Sequence, residues 1–219
     1  MRILIADTET TGLGSDAEIA ELAFFEIDPD LTVVREFSSL INPQGLICPA
    51  ASAASGITNR LVESAPRLEE VLATFEKGYF DDVFVICHNL IFDKRFLAPI
   101  WNIAGELCTL RAARQLWPDA PNHKLQTLRY YKDLDIDSTA HRALGDVEVT
   151  LKLLDLMLRE TGKTLLDLAH DVMAPKKINT MPFGKYKGTP LKDLPGGYFK
   201  WLLGLDNLET DLRTSLLEL

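Results

Sequence analysis

Asp7 and Glu9 close a short run of branched apolar residues, Arg2-Ile3-Leu4-Ile5-Ala6, that reads as a buried strand. Residues two apart in a strand point to the same face, so these two carboxylates stand side by side. Such a pair either calls for a cation between the charges or marks a strand end that opens into water. Asp93 follows a second buried run, Val83 to Cys87, which ends at His88-Asn89. Asp146 lies beside the apolar stripe of the strongest helical segment, and His141 stands five residues ahead of it, after Ser138-Thr139-Ala140. Four carboxylates with no cysteine nearby are hard oxygen ligands, suited to magnesium or manganese rather than zinc. Taken singly, each has a plainer reading: Asp93 as an acid favoured by a helix dipole, Asp146 as surface decoration, His141 as an ordinary loop histidine.

The elements that must position these groups follow from periodicity. After the first strand, Thr10-Thr11-Gly12-Leu13-Gly14 reads as a turn. Ile19 to Ile27 and Val33 to Leu40 form a hairpin about Asp28-Pro29-Asp30. The stretch 42–57 is a long connection with two prolines and two glycines, a length that suggests a functional loop. Ser64 looks like a helix cap with Pro66 just inside, followed by Leu68, Val71, Leu72 and Phe75 at helical spacing. A helix is expected to start near Asp93 and to end or kink at Pro99. Thr109 to Trp117 and Leu125 to Tyr131 read as short helices. In Ala143 to Leu158, Leu144, Val147, Leu151, Leu154 and Leu158 make one apolar stripe that packs on a sheet. Thr164 to Met173 is a further helix. Ala174-Pro175-Lys176-Lys177 then reads as a linker, dividing the chain into 1–173 and a small module over 174–219.

With 219 residues, the chain is long enough for one main domain and an appendage. Its three cysteines, Cys48, Cys87 and Cys108, make no close-spaced pair, so neither a disulfide framework nor a thiolate zinc site is indicated. A reducing cytoplasm is the expected setting, since the opening apolar run is far too short for a signal peptide and no stretch is long enough to span a membrane. The net charge of −9 is unevenly spread: from Ala174 to Leu203 six lysines face one acid, Asp193. An acidic body with a basic tail suits carboxylates that hold metal and a separate patch that meets phosphate, and equally an ordinary acidic protein with a lysine-rich end.

Three motifs in order, Asp7-Thr8-Glu9-Thr10-Thr11-Gly12-Leu13, His88-Asn89-x-x-Phe92-Asp93 and His141-x-x-x-x-Asp146, resemble those of the DEDDh 3′→5′ exonucleases. Ile41-Asn42-Pro43 and Ser55-Gly56-Ile57-Thr58 are similar to the family's intervening segments, with Ser55 where relatives carry histidine. Phe183-Gly184-Lys185-Tyr186-Lys187-Gly188, with Tyr198-x-x-Trp201-Leu202, resembles the C-terminal module of the exonuclease X branch, as does Cys108-Thr109-x-x-x-Ala113-Arg114-x-Leu116-Trp117-Pro118. The resemblance implies an α/β, ribonuclease H-like fold with a mixed five-stranded sheet flanked by helices. It implies two divalent ions, Mg2+ or Mn2+, about 4 Å apart and held by Asp7, Glu9, Asp93 and Asp146. His141 then takes the proton of the attacking water, and DNA is shortened from its 3′ end to 5′-mononucleotides.

For the substrate, Thr8, Thr10, Leu13, His88, Phe92, Lys185 and Lys187 are the candidate contacts. Leu13 is placed to wedge against a terminal base or to pack in the core. Phe92 stacks on the substrate or packs, and His88 leans to a structural role. Lys185 and Lys187 grip a DNA backbone around Tyr186, or form a solvated turn. His123 and His170 receive no role. Alternatives within this reading are an RNA-trimming relative and a proofreading subunit whose tail docks a polymerase; a scaffold that has lost the chemistry fits poorly with five intact site residues.

Overall fold

A computed structural model of the chain describes residues 1–136, 142–205 and 208–219, with Thr210 described by its backbone alone. It contains two compact units, Met1–Met173 and Ala174–Leu219. In the first, β1 (Arg2–Thr10), β2 (Ile19–Ile27), β3 (Val33–Leu40), β4 (Val83–Cys87) and β5 (Ile103–Cys108) form one sheet in the order β3-β2-β1-β4-β5. β2 runs antiparallel to β1 and β3, while β1, β4 and β5 are mutually parallel, giving the mixed five-stranded sheet.

The first strand does not stop at the acids. It runs on through Thr10 because Asp7, Thr8 and Glu9 pair with Ala23, Leu22 and Glu21 of β2, with a register shift just after Glu9. The helices are α1 (Pro49–Ser55), α2 (Asn59–Val62), α3 (Leu68–Leu72), α4 (Leu90–Leu97), α5 (Thr109–Leu116), α6 (Leu125–Tyr131), α7 (Ala143–Thr161) and α8 (Leu165–Met173). The 42–57 connection thus contains a helix. The segment after Pro66 is shorter than its apolar spacing implies: α3 starts at Leu68, capped by Arg67 and Glu70 rather than by Ser64, and Phe75 lies beyond its end. Helix α4 begins at Leu90 and stops before Pro99.

Alternation along β1 divides the core in two. Ile5 packs with Ala23, Ile86 and Leu107 against α5, α6, α7 and α8. Leu4 and Ala6 point the other way, into a cluster with Phe24, Val85, Phe75, Phe80 and Leu97. Helices therefore cover both faces, and β1, flanked by β2 and β4, is the central strand. No helix among the described residues is long and apolar enough to cross a membrane.

The second unit is held by Met181, Leu191, Leu194, Leu202, Leu208, Leu212 and Leu216, all buried. Besides a 3-10 turn at Leu191–Asp193, it contains α9 (Gly196–Leu203) and α10 (Thr210–Leu217).

Candidate active site

The two-faced character of β1 explains how residues distant in sequence come together. Asp7 and Glu9 share the odd-numbered face with Ile5, which is the face α7 covers. Helix α7 brings Asp146 in its first turn, and ligand oxygens of Asp7, Glu9 and Asp146 all lie within 4.8 Å of one another. Thr8 looks to the opposite face, where α4 supplies Asp93. The Thr8 hydroxyl and backbone N–H both donate to Asp93 Oδ1, at 2.8 and 3.0 Å. Asp93 is 2% exposed and stands beside Asp7 electrostatically, although outside the trio. Asn89, in the left-handed region at φ 75°, turns the chain from β4 into α4. Asparagine tolerates that conformation better than most residues with a Cβ.

Crowding of like charges in a half-buried place has the expected electrostatic result. Asp7 is pushed well above the usual carboxylate range, first by burial and then by Asp93, Asp146 and Glu9. Burial and the charge of Asp146 push Glu9 up to about 8. Burial also raises Asp93, to about 7, against the opposing pull of the hydrogen bonds from Thr8. A site that holds its protons this tightly is one where a divalent cation relieves the most repulsion, and an all-carboxylate set of oxygens fits magnesium or manganese.

Three residues not foreseen from the sequence hold the cage. Glu21 on β2, directly opposite Glu9 in register, is 1% exposed. Arg142 donates to it through Nε (3.1 Å) and Nη2 (2.6 Å), and the Ala143 N–H adds a third bond at 3.1 Å. The start of α7 is thereby tied to the strand beside the acids. Gln126 of α6 donates to Asp146 Oδ1 at 2.6 Å. One sequence signal did exist: Glu21 is an acid inside a strand that is otherwise almost wholly apolar.

The remaining expected residues fall into distinct groups. Thr8 and Thr10, expected at the substrate, have buried side chains turned inward. Thr8 orients Asp93, and the Thr10 hydroxyl donates to the Gly12 carbonyl across the turn. Both ring nitrogens of His88 have protein partners. Its Nε2–H donates to the His123 carbonyl (2.9 Å), and Nδ1 faces the Thr109 hydroxyl (3.0 Å). Burial lowers its pKa to about 4, so the ring is neutral and fastens the loop before α6. Leu13 is 80% exposed, which removes the core-packing reading, and Arg95 holds its loop through the Leu13 and Gly14 carbonyls. Phe92 is half-buried against Phe96, ring centroids 5.3 Å apart. Lys185 and Lys187 are exposed in the second unit. His141 lies outside the described residues.

A mixed sheet in this order, with acids on its central strand and helices on both faces, is the ribonuclease H-like architecture of solved exonucleases. Exonuclease X in complex with 5′ overhanging duplex DNA superposes with a TM-score of 0.66 and 30% identity, covering 78% of this chain and 99% of that one. Escherichia coli exonuclease I in its complex with single-stranded DNA, 20% identical, shares the fold at a TM-score of 0.64 over 76% of this chain and 42% of that one. The family model described as "Exonuclease" matches residues 4–154, and the chain belongs to that family. It is similar over nearly its whole length to Exodeoxyribonuclease 10 of Escherichia coli K12, with 32% identity over 223 residues, 97% of this chain and 96% of the relative. DNA polymerase III PolC-type of Bacillus subtilis 168 is 32% identical over 170 residues, 73% of this chain but 12% of that much longer protein. A second model, described as "Putative quorum-sensing-regulated virulence factor", matches residues 165–206.

Proposed function

We propose that this exonuclease removes nucleotides from the 3′ end of DNA, releasing 5′-mononucleotides, with two divalent ions held by Asp7, Glu9, Asp93 and Asp146. The observation that carries the reading is the gathering of Asp7, Glu9 and Asp146 oxygens within 4.8 Å, with Asp93 beside them. Magnesium or manganese, when bound, supplies activation of a water and neutralisation of charge at the leaving oxygen. The chain's own residues do the rest. Asp7, on the central strand beside both Asp93 and Asp146, would hold metal together with either of them. The carboxylates would hold metal only as anions, so binding would be linked to loss of their protons. His141 accepts the proton of the attacking water, a task that suits histidine as a residue type because an unperturbed imidazole titrates near neutral pH.

Exposed Leu13 presents an apolar surface to the terminal base, with Phe92 on the neighbouring helix, and in the second unit Lys185 and Lys187 contact DNA phosphates. DNA is favoured over RNA because the relative that matches over nearly the whole chain is named an exodeoxyribonuclease. The module over 174–219 is read as a DNA-holding appendage to the exonuclease unit 1–173.

An oligonucleotide labelled at either end tests the reading. A 5′ label should pass through progressively shorter products, whereas a 3′ label should leave at once as a mononucleotide. Asp7→Ala should abolish release, and His141→Ala should reduce it by about a hundredfold or more with metal in excess. Full activity in the histidine variant would remove the base assignment, and shortening from the 5′ end would remove the polarity. A matched RNA strand degraded as fast as the DNA would remove the preference for deoxyribose.

A further inference from the structure

The second unit carries an aromatic series that runs from the edge of its core into solvent: Tyr186 and Tyr198 are partly buried against that core, while Trp201 and Phe183 stand outside it. On α9, Leu202 is fully buried, but Trp201 one position earlier is 53% exposed. Tyr198, one turn back on the same face, packs beside Trp201 with ring centroids 5.1 Å apart and planes tilted by 32°. Tyr186 continues the series from the preceding loop, 4.7 Å from Tyr198. That loop is pinned close: Gly184 has φ 71°, and a Cβ there would stand 3.3 Å from the Tyr198 hydroxyl. Lys185 Nζ lies 5.4 Å from the Tyr186 ring. Lys185, Lys187 and Lys200 are exposed and have no acidic partner among the described residues, and Phe183 beside them is 41% exposed. The chain's other two tryptophans, Trp101 and Trp117, are only 3% and 5% exposed.

We propose that Tyr186, Tyr198 and Trp201, rimmed by Lys185, Lys187 and Lys200, form a stacking platform for an unpaired DNA strand. This rests on the reading of the module as DNA-holding and adds which form of DNA it takes. Ammonium groups answer the phosphates of any nucleic acid, but a ring laid open at the end of an aromatic ladder is matched only by a base whose face is free. Duplex DNA hides those faces inside its own stack. The platform therefore selects single-stranded segments, whatever their sequence, and holds them independently of the metal-dependent cage.

Tryptophan emission of the full chain, in chelator to prevent hydrolysis, provides the test. Free protein should show a red-shifted component from Trp201, quenched by a thymidine oligonucleotide of about 16 nucleotides and not by a blunt duplex. In fluorescence polarisation with the same labelled strand, Trp201→Ala should weaken binding about tenfold, and Trp201→Phe should recover most of the loss. Replacing both Lys185 and Lys187 by alanine should instead lower the slope of log affinity against log salt by about 1.4. Equal quenching by duplex, unchanged affinity in Trp201→Ala, or emission showing Trp201 already covered in the free chain overturns the platform. If the lysine variant behaves as expected while Trp201→Ala binds normally, the DNA grip stands and the platform falls. If neither substitution changes binding, both fall.

Discussion

At the scale of single residues, Asp93 shows how neutral donors help to hold a carboxylate buried beside others. Two bonds from one residue, Thr8, converge on one of its oxygens, and hydrogen bonds to the charged form offset part of the desolvation cost. Thr8→Val keeps the shape and the backbone donor but deletes the hydroxyl. It should cost about 1 kcal/mol in urea denaturation. Because it disturbs Asp93 and not the outer contacts, it should lower kcat with little change in KM for a short oligonucleotide; unchanged kcat would mean the backbone bond alone suffices. The acids themselves were legible because their types and order are distinctive. Thr8 was placed at the substrate because sequence gives its position on the strand but not which helix closes over it. Glu21 went unnoticed for a related reason: an acid within an apolar strand signals a buried partner, and Arg142 lies more than a hundred positions away.

Among elements, the arrangement depends on how α7 is seated. Its first turn is fastened to β2 through Arg142 and Glu21, a pair in which Glu21 is almost fully buried and Arg142 partly open to water. Arg142→Ala would strand the Glu21 charge beside Glu9, with the Ala143 N–H as its remaining bond in this contact. The expected loss is about 3 kcal/mol, together with reduced activity. Chemical denaturation and nucleotide release measured on the same preparation check both, and a variant as stable as wild type would show that the helix is seated by packing alone. The apolar stripe of α7 was plain in the sequence, as were β1 to β4 and α6. Edge strand β5 was not, because Ile103-Ala104-Gly105-Glu106 shows neither alternation nor a branched run. Gly105 is there for space: a Cβ would come within 2.5 Å of the Phe84 ring on β4. Helix α1 was read as part of a loop since Pro49–Ser55 has small residues and no apolar stripe.

For the whole molecule, the charge balance of the cage links folding to pH and metal. Glu9 moves from an ordinary 4.5 to about 8 and Asp93 from 3.8 to about 7 in the folded state, and Asp7 moves the same way. The metal-free protein therefore takes up protons on folding, and its stability should fall as pH rises from about 4 to about 8. Magnesium or manganese replaces those protons, so the gain in melting temperature on adding either ion should grow across the same interval. Calorimetry at several pH values, with and without metal, checks this; a metal effect equal at all pH values would show that the carboxylates are already ionised in the free protein. The alternation of β1 has a further consequence. Displacing the strand by a single position would turn both acids toward α4 and expose Leu4 and Ala6 to the wrong layer. Misfolded and inactive are thus the same state here: the hydrophobic ordering that lets the chain fold at all also sets the aim of its reactive groups, and selection for one preserves the other.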